Sequence, residues 1–403
     1  MKNAKDYFKP EDDLYIRDIR HELHKIPELG MELPETCAFV RQELISLGIP
    51  FTEKYAVSSI VAYLGFGQEN PESAAECGKE GHIYTIALRA DMDALPIKEE
   101  SGVPFTSEHP GKMHACGHDA HTAMLLGAAK ALKRAEENGA LTVRVKLLFQ
   151  PNEEGEDSGA AVMVKNGVLN DVDCVFGQHI QQQMKTGEIG WHKGPYMAAC
   201  HTYSIDFYGT SAHATLPQNG HDALAMGIKA VNDIYLMKAR EIGPFDHHVI
   251  SVGAFHAGAV HNIIADHAQL KISVRTFDIE LDAYIEKRIK QICRNAAEEL
   301  GGTVEFDDGT SAGVVVNDPS LIDFVCAAAK KITSADKFIE LDQQMGSEDF
   351  SAYLAKRPGA FTRIGTGNPA KGCTGVPHTS TLVLDEDAFL TGSMLLAQIA
   401  LDF

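Results

Sequence analysis

Ile83-Tyr84-Thr85-Ile86-Ala87-Leu88-Arg89-Ala90-Asp91-Met92-Asp93-Ala94-Leu95-Pro96 opens as a compact apolar run and closes on two aspartates spaced two apart. Continuous apolar runs of this length suit a strand buried on both faces. In an open α/β sheet the carboxyl ends of such strands hold the sites, so Asp91 and Asp93 fall where chemistry is expected.

Moving downstream, residues from Asp119 to Asn138-Gly139 repeat Ala120, Ala123, Met124, Gly127 and Ala131 at helical spacing, with Asp119 as the expected N-cap. A strand at 141–149, a helix at 159–167 and a strand at 172–177 follow. This alternation predicts a largely parallel sheet covered by helices. Upstream, residues 12–26 and 34–47 read as helices and 57–64 as a strand. The polar, Gly- and Glu-rich stretch 65–81 reads as an exposed hairpin or insertion.

The ends of these strands carry reactive groups. His114-Ala115-Cys116-Gly117-His118-Asp119-Ala120-His121 crowds one thiol and three imidazoles into eight positions on the loop that enters the helix. Sulfur and imidazole nitrogen are donors preferred by zinc and its neighbours, and a Cys-x-His pair can serve one centre. Taken alone, the octet also fits a packed cysteine beside capping or solvated histidines. Past the next strand stand Glu153 and Glu154, and past the one after that His179. Thiol, carboxylate and imidazole are all expected along one edge of one sheet, and a metal explains that better than coincidence.

After Gly194-Pro195 the texture changes. Strands at 202–208, 249–257, 268–277 and 304–306, with helices at 223–240 and 281–300, follow the order of a ferredoxin-like α+β unit. This predicts a lid inserted at 196–309 into a domain formed by 1–195 and 310–403. The returning segment holds helices at 319–332 and 347–356, a strand at 360–364, a loop with His378 and a helix at 385–401.

A chain of 403 residues is long enough for two domains. Its formal net charge of -20 argues against nucleic acid and against an anionic membrane surface as partners. No apolar run approaches the ~20 residues that cross a bilayer, and the first residues lack a signal-peptide core, so the expected location is cytoplasmic. The eight cysteines show no paired pattern, which suits reduced thiols.

In this order, Asp91-Met92-Asp93, the Cys116 loop, Gln150-Pro151-Asn152-Glu153-Glu154-Gly155, Gly346-Ser347-Glu348-Asp349-Phe350 and His378 resemble the aminoacylase, hippurate hydrolase and auxin-conjugate amidohydrolase group of metallopeptidases. The likeness extends to Arg20–Gly30, to Gly209–Pro217 around His213 and to Arg275–Asp278, nearly the whole chain. It implies a mostly parallel α/β metallopeptidase domain with a lid that often dimerises. It further implies a site for two divalent metals (manganese, zinc, nickel or cobalt) held by Cys116, His118, Glu154, His179 and His378, with Glu153 as the base.

The superfamily usually has His-x-Asp where Asp91 and Asp93 stand; Asp93 is then the group that orients a ligand imidazole, and Asp91 joins it among the catalytic candidates. His213 resembles the histidine that reaches the substrate carbonyl, sometimes from a partner subunit. Asn262 and Arg275 resemble residues that meet the substrate's amide and carboxylate. Asn152 replaces a small residue, Gln178 an apolar one and Ser211 a glycine, while His378 lies in Pro-His-Thr instead of Leu-His-Ser. These neighbours shape pocket walls, so they bear on substrate preference.

The expected activity is metal-dependent hydrolysis of the amide bond of a small N-acyl amino acid. Two rival readings stay open here: a cysteine hydrolase with Cys116 as nucleophile and His118 or His121 as base, and a metal-dependent binding protein without catalysis.

Overall fold

The computed structural model describes residues 2–67 and 83–403. The chain runs through α1 (Glu11–Lys25), α2 (Pro34–Ser46), β1 (Phe51–Thr52), β2 (Ile60–Leu64), β3 (Thr85–Asp91), α3 (His118–Glu137), β4 (Arg144–Gln150), α4 (Gly159–Lys165), β5 (Cys174–Lys185) and β6 (Ile189–Trp191). Next come β7 (Gly194–Met197), β8 (Ala199–Tyr208), α5 (Ala223–Arg240), β9 (His248–Ala257), β10 (His267–Thr276), α6 (Ile279–Glu299) and β11 (Thr303–Ala312). It ends with β12 (Val315–Asn317), α7 (Pro319–Ile332), β13 (Phe338–Glu340), α8 (Ser351–Leu354), β14 (Gly359–Gly367) and α9 (Phe389–Asp402).

These elements form two compact units, Met1–Gly194 with Val316–Asp342 and Asp349–Phe403, and Pro195–Val315 with Gln343–Glu348. The first contains an eight-stranded sheet in the order β1-β2-β4-β3-β5-β14-β6-β13. Its centre is parallel: β3 pairs with β4 and β5, and β5 with β14. Every residue of β3, β4 and β14 is buried, as expected for central strands covered on both faces. Helix α3 is buried nearly all round, between α1 and α9. Gly127 permits that approach, since an added Cβ would sit 2.7 Å from both Ile16 Cγ1 and Ser393 Oγ.

The second unit is a four-stranded antiparallel sheet in the order β11-β8-β10-β9. Numbered within the unit this is 4-1-3-2, the ferredoxin-like arrangement. Inward residues of β8 and β10, among them Ile205, Phe207, Leu270 and Ile272, pack with Ile234 of α5 and Ile289 of α6.

The structure departs from the sequence reading at several boundaries. Asp119 is not the N-cap of α3; that position is Gly117, and His118 already begins the helix. Strand β11 runs to Ala312, because its pairing with β8 resumes after a register shift although its alternation has faded, and the chain rejoins the first unit at Val316 instead of 310. The helix expected at 347–356 is confined to Ser351–Leu354, and the last helix starts at Phe389 after a short 3₁₀ turn. Apart from Gly65–Gly67, the expected insertion lies outside the described residues. Among the described residues, no helix is long and apolar enough to cross a membrane.

Candidate metal centre

The loop ahead of α3 takes its shape from Gly117. Its φ of +88° is a left-handed conformation open to glycine, and an added Cβ would lie 2.7 Å from Ile180 Cγ1. Cys116 and His118 are thereby set on either side of a sharp turn, both buried. Beyond β4, Asn152 has φ +55°, a conformation that asparagine tolerates well. Its amide donates to the Asp157 carbonyl, so the replacement of a small residue here suits the backbone. His378 also has a positive φ, +65°, and its N–H donates to the Ala115 carbonyl at 2.8 Å, docking its loop onto the Cys116 loop.

These turns gather the predicted donors. Cys116 Sγ lies 3.3 Å from His179 Nε2, and His378 Nε2 lies 3.0 Å from Glu154 Oε1. His118 Nε2 is 3.7 Å from Asp91, 3.9 Å from Glu153 and 4.0 Å from Glu154. Cys116, His118 and His179 offer donor atoms within 4.8 Å of one another, as do Cys116, Glu154 and His378. Ligand atoms around a tetrahedral cation with ~2.1 Å bonds stand about 3.4 Å apart, so separations of 3.0 to 4.0 Å are compatible with shared cations. The His118 ring is wholly buried, with Nδ1 against the Asp93 carboxylate and Nε2 making no hydrogen bond. Leaving Nε2 so would be costly without a ligand.

A surrounding set of groups holds the donors in place. Asp93 accepts from Glu153 N–H and Glu154 N–H, each at 3.0 Å, and its carboxylate lies 3.3 Å from His118 Nδ1. One carboxylate thus positions both glutamates and turns His118 Nε2 toward them. His179 Nδ1 donates to the Ile180 carbonyl at 2.7 Å, which leaves Nε2 as the free donor atom.

Arg89, fully buried, donates to Asp91 at 2.6 Å, Gln150 at 2.8 Å and Asp349 at 2.9 Å. Asp91 therefore bonds side chains and does not serve as a cap for backbone amides. Arg20 and His24 hold Asp119 at 2.8 and 2.7 Å, and His24 also meets Glu99 at 3.0 Å. The sequence reading gave Arg89, Arg20 and His24 no role, although an arginine inside an apolar strand and an i, i+4 Arg/His pair on α1 were visible signals.

Electrostatics point the same way. Burial and the Glu154 carboxylate push the Cys116 thiol up. The Cys116 sulfur and Glu154 carboxylate raise His378 to about 10. For Glu154, burial works against ionisation, but the imidazoles of His378 and His118 lower it. Burial, with His121 and Arg363 nearby, holds His179 well below the usual imidazole range. A thiol that resists ionisation beside an imidazole that keeps its proton is the balance a divalent cation reverses, since it favours thiolate and neutral imidazole together. The donor set fits such ions.

In the second unit, a bridge between His213 and Ile263 sets His213 beside Asn262, whose carbonyl accepts from Ala214 N–H at 3.0 Å. Both are exposed. Arg275 stands on β10 and donates to Ser273 Oγ and the Val274 carbonyl.

Comparison with known proteins bears on this arrangement. Residues 87–402 match peptidase family M20/M25/M40. The chain is 36% identical over 386 residues to IAA-amino acid hydrolase ILR1-like 4 of Arabidopsis thaliana, covering 95% of this chain and 84% of that one. It is 34% identical over 384 residues to N-acetyl-L-cysteine deacetylase of Bacillus subtilis, covering 95% and 86%. The crystal structure of the Bacillus subtilis YXEP protein, a dinuclear metal binding peptidase from M20 family, superposes with a TM-score of 0.79 at 29% identity, covering 98% of each chain. The chain belongs to this peptidase family and is a metal-dependent hydrolase.

Proposed function

We propose that this protein hydrolyses the amide bond of small N-acyl amino acids, using two divalent cations held by Cys116, His118, Glu154, His179 and His378. The observation that carries the reading is the convergence of these five side chains from four separate segments, with Glu153 alongside. Bound cations such as manganese, zinc, nickel or cobalt polarise a carbonyl and lower the pKa of water from near 16 toward about 7. Glu153 takes the proton from the attacking water and passes it to the leaving amine. Adjacent glutamates suit the division of labour: both backbones are pinned by Asp93, so Glu154 can ligate while Glu153 faces the water.

From the lid, His213 would reach the scissile carbonyl, Asn262 the amide and Arg275 the substrate carboxylate, which a guanidinium can grip bidentately. Leu224, Ile228 and Tyr235 form an exposed apolar stripe on α5, which supports a homodimer through the lid. The unpaired pattern of the eight cysteines favours a cytoplasmic protein, and the charge of -20 favours one without nucleic-acid or membrane partners.

Assay of N-acetyl, N-benzoyl and longer-acyl amino acids, with each metal supplied in turn, tests this. Hydrolysis that a chelator abolishes and added metal restores is expected. No hydrolysis with two cations bound would favour a binding protein. Hydrolysis that survives the chelator but not thiol alkylation would favour Cys116 as nucleophile. The geometry already speaks against His121 as its base, because both ring nitrogens of His121 are engaged elsewhere.

A further inference from the structure

The main-chain ladder between β3 and β5 pairs Ile86 with Cys174 through to Arg89 with Gly177, and ends there. Past that point, the edge that carries Asp91 on one strand and His179 on the other is bridged by a side chain. His121, on the first turn of α3, reaches Asp91 Oδ1 with Nδ1 at 2.6 Å and Ile180 N with Nε2 at 2.9 Å. The Ile180 amide can only donate, so Nε2 carries no proton. The proton therefore sits on Nδ1 and is given to the Asp91 carboxylate. With both nitrogens committed, His121 has no lone pair left for a cation, although its ring lies near His118 and Asp91.

The residue it grips is the one that orients a metal ligand: the Ile180 N–H belongs to the peptide from His179, and the Ile180 carbonyl to the next. Ile180 accepts His179 Nδ1–H on its carbonyl at 2.7 Å, and the His121 and His179 rings meet edge-on with centroids 4.4 Å apart. The Ile180 side chain also abuts Gly117 in the Cys116 loop.

We infer that His121 is a positioning residue: it replaces the missing rung between β3 and β5, fixes Ile180 by its amide, and so holds the carbonyl of that residue where it aims His179 Nε2 into the metal centre. This rests on the two-metal reading above. A ligand held this way loses roughly 10- to 100-fold in metal affinity when the holding group is removed.

The test is cobalt titration against a competing chelator, followed by the visible spectrum of the cobalt protein, for wild type, His121→Asn and His121→Gln. Asn keeps a donor near the Nδ1 position and loses the acceptor for Ile180, whereas Gln keeps an acceptor near the Nε2 position. In His121→Asn, at least a tenfold loss of affinity for one of two cobalt ions is expected, with altered ligand-field bands. His121→Gln should recover part of both. Variants that bind both ions as tightly as wild type, with the same spectrum, would overturn the inference and leave the metal centre standing. A wild type that binds no cobalt would overturn both. Should the variants fail to fold, nitrogen-15 imidazole spectra of the metal-free wild type decide. An Nδ1–H tautomer for His121 supports the clamp, and an Nε2–H tautomer removes it.

Discussion

Histidines meet carboxylates in both units, with opposite outcomes. In the lid, His267 Nε2 pairs with Asp206 at 2.7 Å where water competes for the same groups, and His201 Nε2 pairs with Asp282 of α6 at 2.8 Å, part-buried between strand and helix. At the sheet edge of the other unit, His118 is 0% exposed; Asp93 stands 3.3 Å from Nδ1, and Nε2 makes no hydrogen bond, with three carboxylates at 3.7 to 4.0 Å from it. His24 stands between these extremes: it is buried, but Asp119 and Glu99 take both its nitrogens. Residue type is common to all four. Burial with bonding capacity left unmet marks His118 out from the other three, since desolvation without return is costly. His114, also buried with both nitrogens unbonded, shows that the mark points to a ligand only where other donor atoms stand around it.

Five experiments can break or sharpen that contrast. Glu153→Ala should leave two cations bound, by elemental analysis, while lowering kcat by roughly 10²–10⁴-fold. Near-normal turnover would remove Glu153 as the base. Arg89→Met strands Asp91 and Asp349 without their buried cation, and urea unfolding of the metal-free protein should show a loss of about 3–5 kcal/mol.

Asp93→Ala releases both glutamate amides and the neighbour of His118, so chelator competition should register roughly 10- to 100-fold weaker metal binding. An affinity equal to wild type would show that the glutamate turn is self-supporting. His378 is raised to about 10, so at neutral pH it holds a proton that must leave when a cation binds. Metal affinity should then rise with pH up to about 10, with proton release visible by calorimetry in buffers of different ionisation enthalpy; a flat profile from pH 6.5 to 9 would contradict that. His267→Ala, the lid counterpart, should change metal content not at all and stability by no more than about 0.5 kcal/mol.

The sequence made the central strand, the helices at 223–240 and 319–332 and the ferredoxin-like order legible, because each depends on local periodicity. It was blind to the true N-cap of α3: Asp119 has the favoured side chain for that position, but Arg20 and His24 claim it from across the fold. The ends of β5 and β11 were also cut short, since pairing with β14 and β8 extends strands whose own pattern has faded.

By itself the chain determined which donors exist and that they fall at strand ends. Cys116, His118, Glu153, Glu154 and His179 could all be named from order and spacing. Only the folded chain decided which of the histidines are spent and which are open. His121 is closed by Asp91 and the Ile180 amide, contacts from two different strands, while Nε2 of His118, a single turn earlier, is left unsatisfied. Hydrogen-bond saturation is a property of neighbours far apart in sequence, and no local pattern encodes it.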